Sequence, residues 1–142
     1  MFIDQLQLVS DAQAFGAAAV STNSIDLGTS VPKRQIGTGE PMGFAFQIDV
    51  GATVAAPIVE IISATDAGLT AGIISHASMT IALATAVAGF LAFIGLPLGT
   101  PTQRFLGIRV TTAGGTITAT SWLSPQSMFS IQPVVYPKAF TA

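Results

Sequence analysis

The stretch Met42-Gly43-Phe44-Ala45-Phe46-Gln47-Ile48-Asp49-Val50 decides the fold. Phe44, Phe46, Ile48 and Val50 alternate with Gly43, Ala45, Gln47 and Asp49. That period of two puts one face of a β-strand on a core and leaves the other polar or small. The alternation returns from Phe105 to Thr112, where Leu106, Ile108 and Val110 are interleaved with Gly107, Arg109 and Thr111. Ala113-Gly114-Gly115-Thr116 then offers the positive-φ positions of a tight hairpin, with Thr116 to Leu123 expected to return as the partner strand.

Working outward, further strands are expected at Ser24 to Leu27, Ile58 to Ser63, Met79 to Leu83, Phe90 to Leu96 and Met128 to Val135. Pro, Gly, Ser and Thr clusters separate them at short intervals. Many short strands punctuated in this way point to a sandwich, jelly roll or barrel. Phe90 to Leu96 is apolar on both faces, with Phe90, Ala92, Ile94 and Leu96 opposing Leu91 and Phe93, so both of its sides require cover. Asp11 to Val20 is alanine-rich and could be capped by Ser10 as a helix, although Gly16 and Val20 weaken that reading.

The chain has 142 residues, which suits one domain and one core. Only 8% of its residues are charged and 50% are hydrophobic, against about 25% charged in an ordinary soluble domain. A monomer uses charge to cover its outside, so this composition implies an exterior largely covered by other protein chains. The net charge of −2 and five basic residues argue against nucleic acid, whose affinity comes from Lys and Arg on phosphates. There are no cysteines, hence no disulfide frame and no thiolate metal site. Met1-Phe2-Ile3-Asp4 lacks the basic region of a secretory signal. The uncharged run Met79 to Leu96 has about the minimum length of a membrane span. It lacks basic anchors and is interrupted by Gly89 and Gly95, so no membrane partner is expected.

Little in the sequence points to catalysis. His76 is the sole histidine and stands in Ser75-His76-Ala77-Ser78 with no local partner pattern. The carboxylates Asp4, Asp11, Asp26, Glu40, Asp49, Glu60 and Asp66 are spread singly, without metal-loop spacing. Ile36-Gly37-Thr38-Gly39-Glu40-Pro41 reads as a turn into the Met42 strand, because no Lys-Ser/Thr pair follows its glycines. Arg104 and Arg109 are candidates for ion pairs with a partner, as is Lys33-Arg34 for an acidic patch. The expectation is a protein that is not an enzyme, with no catalytic, cofactor-binding or metal-binding residue and no cofactor.

The succession Ser10-Asp11-Ala12-Gln13-Ala14, Ser21-Thr22-Asn23-Ser24-Ile25-Asp26-Leu27-Gly28 and Ile36-Gly37-Thr38-Gly39-Glu40-Pro41 resembles one phage family. So does Pro97-Leu98-Gly99 followed by Arg104-Phe105-Leu106-Gly107-Ile108-Arg109-Val110 and Gly114-Gly115. The family is the capsid cement, or decoration, proteins of tailed bacteriophages first named from a Bordetella podophage. The resemblance implies an all-β fold, a jelly-roll-like sandwich or barrel with extended N- and C-terminal arms. It also implies a virion structural protein on the outer surface of the capsid, assembled in the host cytoplasm, that bridges neighbouring major capsid proteins. Members of the family resemble dimers on the shell, while cement proteins of other phages are trimers.

On this reading residues 1–142 form one β-domain, with residues 1–20 as an N-terminal arm and residues 131–142 as a C-terminal tail. Contacts with the capsid or between subunits are expected at Phe2, Ile3, Phe15, Phe90, Leu91, Phe93, Tyr136 and Phe140. The alternative is a receptor- or glycan-binding β-module of a fibre or tail, for which Trp122 or Tyr136 would have to be exposed.

Overall fold

The structure is a computed structural model that describes residues 7–29, 41–51, 55–97 and 102–128. Within these residues the strands are β1 (Leu8–Phe15), β2 (Ala18–Val20), β3 (Ile25–Asp26), β4 (Met42–Val50), β5 (Ile58–Ala64), β6 (Ile74–Thr80), β7 (Leu91–Gly95), β8 (Phe105–Thr111) and β9 (Ile117–Pro125). They form two antiparallel sheets. The first has the order β1-β9-β4-β7; the second has the order β2-β8-β5-β6, with β3 also paired to β8.

This order is a jelly roll. Taken as one long ribbon, the chain pairs β5 with β6 at its tip, then β4 with β7, β2 and β3 with β8, and β1 with β9. Wrapping the ribbon sends successive pairs to alternate sheets and adds the contacts β4 with β9 and β5 with β8. The core lies between the sheets. Phe44, Phe46 and Ile48 of β4 meet Ile61, Leu106, Ile108, Val110 and Ile117 there, all fully buried.

The alternation in β4 and β8 is therefore real, with one exception. Val50 continues the apolar series in sequence but is 56% exposed. The register of β4 against β9 shifts between Ile48 and Val50 and turns the last residue outward.

The expected hairpin after β8 is corrected: β8 pairs with β2, β3 and β5, whereas β9 pairs with β1 and β4. Gly114 (φ 155°) and Gly115 (φ 74°) instead carry the chain from one sheet to the other. The Thr112 hydroxyl fixes this crossing by donating to a carbonyl at Gly16 or Gly115, each 3.1 Å away.

The N-terminal arm is also corrected over the described part of residues 1–20. Leu8 to Val20 supplies β1 and β2, integral strands of the two sheets, and Val9 and Phe15 are fully buried in the core. The alanine-rich run escapes helix because β9 takes its hydrogen bonds. Two register shifts, with Ala12 at φ 43°, bend β1. Over the bend the Thr120 hydroxyl accepts from Ala12 N–H (3.0 Å) and donates to Asp49 (2.7 Å).

The strand expected at Met79 to Leu83 lies earlier, as β6, and is followed by a single 3-10 turn at Leu83–Thr85. No described helix is long and apolar enough to cross a membrane; the uncharged run folds as the end of β6, this turn and β7. Met128 lies in a helical turn, and the remainder of Met128 to Val135 falls outside the described residues, as do Phe2, Ile3, residues 131–142 and the Gly37-Thr38-Gly39 turn.

The β5–β6 connection folds back over the outer side of the second sheet. Asp66 accepts Thr70 N–H at 2.9 Å and Ala71 N–H at 2.7 Å, closing the loop. Leu69, at φ 55°, is thereby driven down over Gly107, where an added Cβ would fall 2.4 Å from Leu69 Cδ1. Ile62, Ala64, Val20 and Phe105 complete this small second cluster. Replacing Leu69 by Ala is expected to cost about 2 to 5 kcal/mol, the range for emptying a buried leucine site. A urea titration measures it, and a loss below about 1 kcal/mol would show that the plug is not packed.

Candidate interaction surface

Few charges serve this fold, and the two described arginines each face a carboxylate. Arg104 grips Asp26 with two hydrogen bonds, Nε to Oδ1 at 2.9 Å and Nη2 to Oδ2 at 2.8 Å, and its guanidinium lies 4.8 Å from the centre of the Phe105 ring. Arg109 donates to Glu60 at 2.7 Å across β8 and β5. That hydrogen bond holds the Glu60 carboxyl below its ordinary range. Arg104 and Arg109, expected to reach a partner, are thus matched within the chain.

The rest of the surface divides in an orderly way. Residues 16–17, 51, 55–57, 81–90 and 112–116 lie at one end of the sandwich. Thr112 N–H donates to Ala17 O (3.2 Å), Ile81 N–H to Pro57 O (2.9 Å), and Gly51 runs so close to Ala86 that a Cβ would fall 2.3 Å from its carbonyl oxygen. Val50 pairs with Thr118 beside the last of these loops. Their sequences contain no Asp, Glu, Lys or Arg. Val50, Leu83 (46% exposed) and Val87 (55% exposed) stand out from this end. Ile58 lies beside it, whereas Ile73 and Ile74 stand at the far end of β6, so four of the seven exposed large hydrophobic side chains among the described residues cluster at this end. Clustering of this kind marks an interaction surface, whereas single exposed apolar residues do not.

The expected contact residues distribute differently. Phe15 is a core residue, fully buried against Phe46 with ring centres 6.4 Å apart, so it is not available to a partner. Phe90 packs against the core from its edge. Leu91 and Phe93 are half-buried and project from the outer side of the first sheet, where Phe93 pairs with Ala45 and Ala45 with Trp122. Trp122 is only 4% exposed, so its ring is not presented to a glycan. Phe2, Ile3, Tyr136 and Phe140 lie outside the described residues. The sequence reading missed Val50, Ile58, Ile73, Ile74, Leu83 and Val87. For Ile73, Ile74, Leu83 and Val87 the available signal was the run from Ala67 to Gln103, which holds no Asp, Glu, Lys or Arg.

His76 occupies a bulge in β6, where Ile61 opposes Ala77 but Ile62 opposes Ser75. Its Nε2 shares a 2.7 Å hydrogen bond with Ser63 Oγ, which also accepts Gln103 N–H at 3.0 Å. Its Nδ1 is buried without a hydrogen-bond partner among the described residues. No group of three or more metal-ligating side chains occurs among them either. Burial pushes the imidazole pKa below 6.5.

The arrangement defines a class: a jelly-roll sandwich whose two described arginines are matched internally and whose described loops at one end are apolar and free of charge. The chain matches the Bbp16 family over residues 9–124 and belongs to it. The family takes its name from a Bordetella phage protein, and the chain is accordingly a phage virion protein. Comparison with curated proteins gave no match.

His76 carries a pH dependence. The unfolded chain protonates first as pH falls through 6.5, because the folded chain keeps the imidazole neutral to lower pH. Stability is therefore lost in that window, while the lowered Glu60 and Asp66 act only below their ordinary 4.5 and 3.8. The urea midpoint is expected to fall between about pH 7 and pH 5 in the wild type and to stay level over that interval in His76→Gln. An equal decline in both would place the effect elsewhere.

Proposed function

We propose that this chain is a capsid cement protein that binds the outer surface of a phage head and bridges neighbouring major capsid proteins. The observation that carries the reading is the apolar, charge-free flank on a chain of a phage virion family. A surface of Val, Leu, Ala, Gly and Thr gains little from water and cannot be steered by charge. It fits a partner presented at high local concentration, as on a preassembled shell.

The mechanism is additive burial. Each clip removes apolar area from water on two capsid subunits at once, at roughly 25 cal/mol per Å² less the cost of association. Separating the subunits then costs more. A contact too weak to matter singly becomes a collective resistance when repeated over a lattice. The end bearing Val50, Leu83 and Val87 is the shell-facing part.

Cryo-electron microscopy of shells incubated with the recombinant chain tests the reading. Regular density bridging capsomers on the outside is the expected result, and its absence from the shell, or density only at the tail, would overturn it. In co-sedimentation, Leu83→Glu with Val87→Glu is expected to abolish shell binding while circular dichroism stays unchanged, since both side chains are exposed. Undiminished binding by the folded double variant would remove this end as the contact.

A further inference from the structure

Three side chains of the first sheet are buried although they point away from the core. Ala45 is fully buried on the outer side, and Trp122 and Ser124 are nearly so. Ala45 and Trp122 belong to neither apolar cluster of the sandwich. No described strand lies over them, because β1, β9, β4 and β7 form a single layer there. Phe93 supplies part of the cover: its ring lies across Gly43, where an added Cβ would fall 2.6 Å from Cζ.

This outer face divides along β9. Near its start, Thr120 donates to Asp49 and accepts Ala12 N–H, so the polar groups satisfy one another. Towards Pro125 the face is apolar, formed by Leu8, Ala45, Leu91, Phe93 and Trp122. It holds one unmet polar group: the Trp122 indole Nε1 is buried with no hydrogen-bond partner among the described residues. A buried N–H without an acceptor is costly, so whatever covers this half should bring a carbonyl with it.

We propose that residues 129–142 of the same chain seat on the apolar half of this face and give the Trp122 indole its acceptor. β9, the strand that bears Trp122, ends at Pro125, and Gln126 N–H still bonds to Pro41 O, so the chain leaves the sheet beside the patch. Residues 129–142, outside the described range, contain Phe129, Ile131, Val134, Val135, Tyr136 and Phe140, no Asp or Glu, and one Lys. At about 3.3 Å per extended residue they reach well beyond the roughly 15 Å between the outer strands of a four-stranded sheet. Pro133 and Pro137 cannot donate to a ladder and favour an extended path, whose carbonyls are free to accept from an indole N–H. Seating this segment takes Tyr136 and Phe140 away from the capsid contacts expected from sequence, and leaves that task to the Val50, Leu83 and Val87 end.

Trp122 is the sole tryptophan, so its fluorescence in the full chain reads the cover directly. The measurement needs no shell, and its failure is therefore distinct from failure of the cement reading. Ile131→Glu with Val134→Glu and Tyr136→Glu is expected to shift the emission to longer wavelength and to raise acrylamide quenching several-fold, while circular dichroism keeps its β signature. Should that variant not fold, Val134→Ser with Tyr136→Ser is expected to move both readings the same way by a smaller step. Unchanged emission and quenching in a folded variant overturns the proposal. So does a wild-type emission that moves to longer wavelength on dilution, because the cover would then come from another copy.

Discussion

The insertion of β9 between β1 and β4 is the constraint on which the rest depends. β9 supplies the hydrogen bonds of both neighbours in the first sheet and carries Ile117, Ala119 and Leu123 into the core. Its partners lie far away in sequence: Leu8 opposes Trp122, and Phe46 opposes Ser121. No local hairpin can form the first sheet in advance, so its central pairing waits for closure of loops spanning most of the chain. The apolar content is suited to this demand. Strong side-chain burial must offset the chain entropy lost when the two ends of the ribbon meet.

Closing the roll also settles where charge can go. The inner faces admit none, and the outer sides of the sheets carry pairs such as Arg109 with Glu60, aligned by strand register. Arg104 and Asp26 meet at the opposite end from the apolar loops, across the paired β3 and β8. These exposed or half-exposed pairs contribute modestly to stability. Their larger consequence is distributional. With Arg104 and Arg109 matched to their carboxylates, the loops joining β1 to β2, β4 to β5, β6 to β7 and β8 to β9 are left to small and apolar residues.

Much of the fold was legible in sequence because period-two alternation reports the two faces of a strand directly. Phe44 to Ile48 and Leu106 to Val110 gave β4 and β8 nearly to their ends. Failure came where local sequence does not encode partner choice. Ala113-Gly114-Gly115-Thr116 has the residues of a hairpin turn, but the same positive-φ glycines serve an arch between sheets, and only the competition of β5 and β4 for β8 and β9 decides between them. The family resemblance made Asp11 to Val20 an arm against its alanine content, whereas Val9 and Phe15 at the borders of β1 carry its burial. Phe15 was read as a contact for the same reason: an aromatic side chain in a supposed arm has no interior to enter. The interaction flank was less legible still. Exposure of Val50 depends on a register shift, and that of Leu83 and Val87 on a turn that period two cannot describe.

The jelly roll sets its apolar loop end apart from its edge strands, and in the proposed cement role this geometry bears on how one small chain would reinforce a lattice. Loops at the end of a sandwich can adapt to a partner's shape, because their backbones are not committed to a ladder. An edge strand imposes register and direction, since its peptide groups must meet complementary ones at fixed spacing. In the proposed cement role, adaptable loop contacts repeated over a lattice would hold together even where one of them releases, because rebinding is favoured by proximity. The scarcity of charge would serve the same proposed role: the loop end needs no partner of opposite sign, and copies crowded together on a shell would not repel one another strongly.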